Sequence, residues 1–142
     1  MNNIEDFAKI IIKKLRDENF KYYLDLKKRA GSMSLEEYYK LPRNPNYVPE
    51  LQKIDDERFE FLNSLDETQK KALDKLMLNS LDSTAFNFLR EIEENLNKEK
   101  SIGLTINGKK IEEYTKQLLS GTLFGEYFIW CENFSDFGEF QQ

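Results

Sequence analysis

Apolar residues recur at helical spacing over most of this chain of 142 residues, and this pattern limits its fold more than any other feature. Between residues 3 and 30 the apolar positions lie three or four apart, which places them along one side of a helix: Ile4, Phe7, Ala8, Ile11, Leu15, Tyr22 and Leu26. Similar spacing returns after residue 50 and again after residue 111. We therefore predict a mainly α, single-domain helical bundle of five to seven helices over residues 1–142.

Capping residues predict where several of these helices begin. Ser34 and Glu37 form a capping box, in which each side chain bonds the backbone amide of the other residue. Asp66 and Gln69 form a second one. Asp82 or Ser83 is predicted to cap a further helix, so that the chain would break between two helices at this point.

Two segments depart from the helical pattern. Residues 42–49 contain all three prolines and predict a rigid connector, which leaves a helical arm over residues 1–41 as one option for the domain organisation. Near residues 102–110, apolar residues alternate with Gly103 and Thr105 and lead into Asn107-Gly108, a strong turn signal. This stretch predicts a short hairpin or an extended segment.

The last 26 residues have an unusual composition. They hold no Lys or Arg, four acidic side chains and seven of the nineteen aromatic ones, including the only Trp. These aromatics are Phe124, Tyr127, Phe128, Trp130, Phe134, Phe137 and Phe140. Residues 122–134 fit either a helix or a fully buried strand, and the scarcity of other strand signals favours the helix. Large rings at this density form either a core or a binding surface.

As a helix, residues 122–134 have a broad apolar face and an opposite face that mixes polar and apolar residues. Ile129 and Trp130 fall on this second face beside polar residues, so another element covers them or they contact a partner. Trp and Tyr are frequent anchors of protein interfaces. We predict a binding surface on this basis, made of Glu126, Ile129, Trp130, Glu132, Asn133 and Phe137.

Composition excludes several kinds of function. The chain has no His, which removes the commonest general base and metal ligand, and its single Cys131 has no partner for a disulfide. We expect no metal and no cofactor. The net charge of −5 argues against nucleic acid as a partner. Because the sequence shows neither a signal-peptide pattern nor an apolar run of membrane-spanning length, we expect a cytoplasmic protein that does not enter a membrane.

These properties favour a small acidic protein-binding module without catalysis. In its size, its acidity, its lack of His and its aromatic cluster, the chain resembles bacterial toxin-immunity proteins. The resemblance implies an inhibitor that occludes a basic partner protein. One alternative is a homo-oligomer whose aromatic C-terminal face is its own subunit contact. A weaker alternative is an enzyme that uses carboxylates on a small molecule, for which Glu126, between Gly125 and a run of rings, is the first candidate.

Overall fold

The computed structural model describes residues 3–98 and 103–139. The chain divides into two compact units: one comprises Met1–Phe20 and Lys75–Gln142, and the other comprises Lys21–Asp74. The described residues form six continuous helical segments and one two-stranded hairpin, which confirms the mainly α prediction. The single domain over residues 1–142 and the arm over 1–41 stay predictions.

The first helical segment runs without a break from Asn3 to Gly31. It consists of helix α1 (Asn3–Ile10), a π-helical stretch (Ile11–Asp17) and helix α2 (Glu18–Gly31). A π turn holds more residues than an α turn and therefore shifts the register of the side chains that follow. Two neighbouring charged residues at the end of this stretch, Arg16 and Asp17, are both buried.

Two helices, α3 and α4, follow α2 within the Lys21–Asp74 unit. Helix α3 (Leu35–Lys40) begins at Ser34, and both bonds of the predicted capping box are present. Residues 41–48 then lead to helix α4 (Pro49–Asn63). The buried ring of Tyr38 in α3 stacks on that of Phe59 in α4, with centroids 3.9 Å apart.

Helix α5 (Glu67–Lys98) is the longest element. The predicted pairing of Asp66 with Gln69 is present at its start, where each backbone N–H donates to the other side chain. The prediction of a new helix at Asp82 or Ser83 is wrong, because the helix continues through both. Asp82 is instead buried in the middle of α5, where its carboxylate accepts hydrogen bonds from other elements.

A hairpin and two helices complete the chain. Strand β1 (Thr105–Ile106) pairs antiparallel with β2 (Lys109–Lys110), which confirms the hairpin prediction. Asn107 and Gly108 form its turn, and both have positive φ, at 50° and 79°. Helix α6 (Ile111–Thr115) and helix α7 (Leu123–Phe134) follow, so residues 122–134 form the predicted helix. Ile102 and Phe140 lie outside the described residues.

The core of the unit formed by Met1–Phe20 and Lys75–Gln142 gathers residues from several helices and the π stretch. The buried apolar members are Ile4, Ala8, Ile11, Ile12, Ala85, Leu89, Ile111, Tyr114, Leu123, Tyr127, Trp130 and Cys131. Four of the twelve come from α7, so this helix lies at the centre of the core. Within the described residues, no helix combines the length and the apolar character that crossing a membrane requires.

Candidate protein-docking groove

Two side chains hold the N-terminus of helix α7, one from the residue before the helix and one from α5. The Thr122 hydroxyl accepts a hydrogen bond from the Gly125 amide at 3.0 Å, which caps the helix. The buried carboxylate of Glu93 in α5 accepts from the Leu123 amide. Burial raises the pKa of Glu93, against the opposing effect of the Leu123 and Phe124 amides. These contacts set the position of the aromatic residues that follow.

Trp130 lies inside the protein rather than on its surface. Only 4% of the residue is exposed, and its ring meets that of Phe7 in α1 edge-to-face, with centroids 6.2 Å apart and planes at 83°. Of the two alternatives for this ring, cover by another element is the one the structure shows. An anchor that reaches out to a partner would have to break this contact.

A groove of about 190 Å³ lies beside Trp130. Helix α1, the segment after α6 and helix α7 form its walls, with these residues: Ile4, Glu5, Gln117, Leu118, Leu119, Glu126, Ile129, Trp130, Asn133 and Phe134. Leu119 stands at its edge with 89% of its surface in solvent, the highest exposure of any large apolar residue described. An exposed leucine next to an apolar groove offers contact area to a partner.

Glu126 gives the groove its charge. The residue is only 5% exposed, and its Oε2 accepts hydrogen bonds from the Ser120 amide at 3.0 Å and from the Ser120 hydroxyl at 2.7 Å. None of the described hydrogen bonds reaches its other oxygen, Oε1. Glu5 is the second carboxylate of the lining, which contains no Lys or Arg. A buried carboxylate with a free oxygen favours a cation in the groove.

The groove brings together four of the six residues predicted as a binding surface. Glu126, Ile129, Trp130 and Asn133 all line it. They differ in access, because Asn133 is exposed, Ile129 is half-buried, and the other two are buried. Glu132 is exposed but does not line the groove. Phe137 lies elsewhere, where its ring meets that of Phe20 edge-to-face with centroids 4.9 Å apart.

Sequence reasoning missed the other half of the groove. The spacing after Ile111 predicts a helix that includes Leu118 and Leu119, but α6 ends at Thr115. The next residues form turns, so the two leucines lie outside any helix face. In the sequence, Gly121 is the residue that indicates a change of chain direction here, and its φ in the structure is 74°. The α1 residues of the lining carry no signal, since about 120 positions separate them from α7.

A buried arginine holds the segment after α7 against the same unit. Arg16 has no exposed surface, and all five of its N–H groups donate a hydrogen bond. Two go to the Asp82 carboxylate, one to the Ser135 hydroxyl, and the others to the backbone carbonyls of Gly138 and Glu139. Arg16 therefore ties residues 135–139 to the π-helical stretch.

Asp17 secures the same segment from the neighbouring position. Its carboxylate accepts from the Ser135 hydroxyl at 2.6 Å and from the Asp136 amide at 2.9 Å. Lys13 bridges Asp17 and Asp136, at 3.3 Å and 2.6 Å. Together with the packing of Phe137 on Phe20, these bonds hold residues 135–137 against the first helical segment.

No thiol nucleophile is available beside the groove. Cys131, the remaining reactive group of α7, is buried, and its burial raises the pKa of the thiol to about 12. A thiol that stays protonated at neutral pH is a poor nucleophile.

Comparison of the chain with protein-family models, with curated proteins and with solved structures finds no match. Its function is therefore inferred from the geometry and charge of the groove.

Proposed function

We propose that this protein is a protein-binding module without catalysis, whose groove receives a basic side chain and a neighbouring apolar one from a partner protein. The observation that carries the proposal is the Glu126 carboxylate, which is 5% exposed and has one oxygen outside the described hydrogen bonds. Burying a carboxylate is costly unless its oxygens are paired, so a partner's ammonium or guanidinium group would stabilise this one.

The apolar part of the groove supplies the rest of the contact. Leu119 stands at the edge, and Leu118, Ile129 and Phe134 are half-buried in the walls. Covering exposed apolar area contributes about 25 cal/mol per Å², whereas a charged group on the rim contributes little. The contact thus combines a charge that orients the partner with apolar area that holds it.

Trp130 has a different role here from the one predicted. Because its ring is packed on Phe7, it forms part of the floor of the groove and does not reach out as an anchor. The proposed surface therefore shifts toward Glu126, Ile129, Asn133 and the newly found Leu119.

Within this class we propose a toxin-immunity type of inhibitor that acts in the cytoplasm. The support is the acidic net charge of −5 and a groove lined by two carboxylates and no cation, which suits a partner with a basic active site. Production of the partner would then arrest growth unless this protein is present in the same cell.

Site-specific crosslinking in the native cell tests whether the groove is a docking site. We would replace Leu119 with p-benzoylphenylalanine and compare it with the same replacement of Phe88, which lies in α5 of the same unit, is 51% exposed and does not line the groove. We expect one basic protein to be crosslinked from position 119 and not from position 88.

The Glu126→Gln change in the Leu119 crosslinking variant serves as the charge control. Glutamine keeps an oxygen for Ser120 but loses the negative charge, so crosslinking should fall while the fold is kept. The same set of proteins crosslinked from both positions would contradict the proposal. A crosslinked dimer of this chain would support the homo-oligomer instead.

A further inference from the structure

A second cavity lies within the Lys21–Asp74 unit, independent of the groove. Its volume is about 170 Å³. Arg29 of α2 and Tyr38 of α3 line it, as do Gln52 and Asp55 of α4 and several residues of the connection over 41–47. The proposed docking function makes no use of this cavity.

The walls of this cavity are held in place by local structure. Pro42 and Pro49 fix the backbone at both ends of the connection. Between them a turn is closed by the bond from the Tyr47 amide to the Asn44 carbonyl, at 3.1 Å. The Asn46 amide also donates to the Asn44 side chain, at 2.9 Å. A cavity with such a preformed wall loses little entropy when a ligand binds.

Two guanidinium groups approach the buried Tyr38 ring from different elements. Arg29 lies 5.5 Å and Arg43 lies 5.8 Å from its centroid. Arg43 is oriented by Asp56, whose carboxylate accepts from its Nη1 at 2.6 Å, and by the ring of Tyr39 at 5.2 Å. Both arginines therefore line the cavity, and Arg43 is held in a fixed direction.

Most of the N–H groups of these two arginines are available to a ligand. Among the described hydrogen bonds, Arg43 uses only the one to Asp56, and Arg29 uses none. Arg29 has one ion pair, to Asp55 at the longer distance of 3.7 Å. Asp55 is also the only carboxylate that lines the cavity, and Arg58 pairs with it as well. The lining itself therefore holds two arginines and one carboxylate, and the Asp56 carboxylate that pairs with Arg43 lies outside the lining.

We propose that this cavity binds a small molecule through an oxyanion group, either a carboxylate or a phosphate. Planar guanidinium groups match the oxygens of both anions and can bind them with two parallel hydrogen bonds. The volume of about 170 Å³ lies below the roughly 300–1,000 Å³ of sites for drug-sized ligands, so the part of the ligand that enters the cavity is small. The cavity is a binding site and carries no reaction.

Titration of the full chain, followed by the NMR signals of the arginine Nε–H groups, tests this proposal. The probes are inorganic phosphate and sodium acetate in separate arms, with sodium chloride at matched ionic strength as the reference. We expect the Arg29 and Arg43 signals to shift with saturation in at least one arm. Saturation by phosphate alone identifies a phosphate ligand, saturation by acetate alone identifies a carboxylate, and saturation by both identifies a site for either anion.

Three variants separate the cavity from general charge effects. Arg29→Gln and Arg43→Gln should each weaken binding by roughly tenfold. Arg90→Gln is the control, because its side chain is 56% exposed, it pairs with Glu94 in α5, and it lies outside the cavity lining. Shifts that do not exceed the chloride reference would overturn the proposal. So would an equal loss of binding in the Arg90 variant.

Discussion

Arg16 shows how one buried side chain can join elements that are distant in the sequence. Its guanidinium lies between α5 and residues 135–139, and every N–H group has an acceptor. No local pattern could predict this contact, because Arg16 and Asp82 are 66 positions apart in the sequence. The sequence predicted a helix around Arg16 and an N-cap at Asp82 or Ser83, and only the fold brings Arg16 and Asp82 together.

We predict that Arg16→Met destabilises the protein by about 3–5 kcal/mol, because the change removes the positive partner of Asp82 and leaves a buried carboxylate uncompensated. It also frees the acceptors at Ser135, Gly138 and Glu139. Urea unfolding followed by circular dichroism measures the difference.

The double variant Arg16→Met, Asp82→Asn is the control for this explanation. It removes the buried charge, while the amide oxygen introduced at position 82 still accepts from the Tyr127 hydroxyl, which bonds Asp82 at 2.7 Å in the native protein. We expect it to be more stable than the single variant. A double variant as unstable as Arg16→Met alone would show that packing, and not the charge, explains the loss.

At the scale of elements, the sequence predicted what depends on near neighbours. Both capping boxes are present because their bonds join residues three apart. The hairpin was also predicted, since Asn107-Gly108 sets its turn locally. Its second strand lies within the predicted range, although Lys109 and Lys110 carry no strand pattern of their own.

The continuity of α5 was mispredicted for a related reason. Asp82 has the chemistry of an N-cap, but its carboxylate is used by Arg16 and Tyr127, and so it does not end the helix. A short polar side chain can cap a helix or can accept hydrogen bonds from other elements within a helix. At Asp82 the partners that decide between these roles, Arg16 and Tyr127, are distant in sequence. The groove was predicted only in part. Helical spacing identified its α7 residues, but its α1 residues are distant in sequence and were not identified.

We predict that Ser83→Pro destabilises the protein by about 3 kcal/mol relative to Ser83→Ala, because proline within a continuous helix removes one backbone hydrogen bond and clashes with the preceding turn. If a new helix began after Asp82, position 83 would be its first residue, where proline is well tolerated. Ser83 is exposed, so side-chain packing adds little to the comparison. Equal unfolding midpoints for the two variants would contradict a continuous α5.

At the scale of the whole molecule, the net charge of −5 is unevenly divided along the chain. Residues 117–142 contribute four negative groups and no positive ones, and they supply most of the groove through Glu126 and its neighbours. Such a distribution accelerates encounter with a basic protein and makes the association sensitive to salt. The charge pattern was readable from the sequence, but the burial of Glu126 was not.

Binding of a partner's cationic side chain by the Glu126 carboxylate is the central feature of the proposed function. The most direct test uses the partner identified by crosslinking, after it has been purified. Its dissociation constant is measured for the native protein and for Glu126→Gln over a series of salt concentrations. We predict that the variant binds at least roughly tenfold more weakly and depends less on salt, while Phe88→Ser binds like the native protein. Equal affinity and equal salt dependence for Glu126→Gln and the native protein would contradict this role of Glu126.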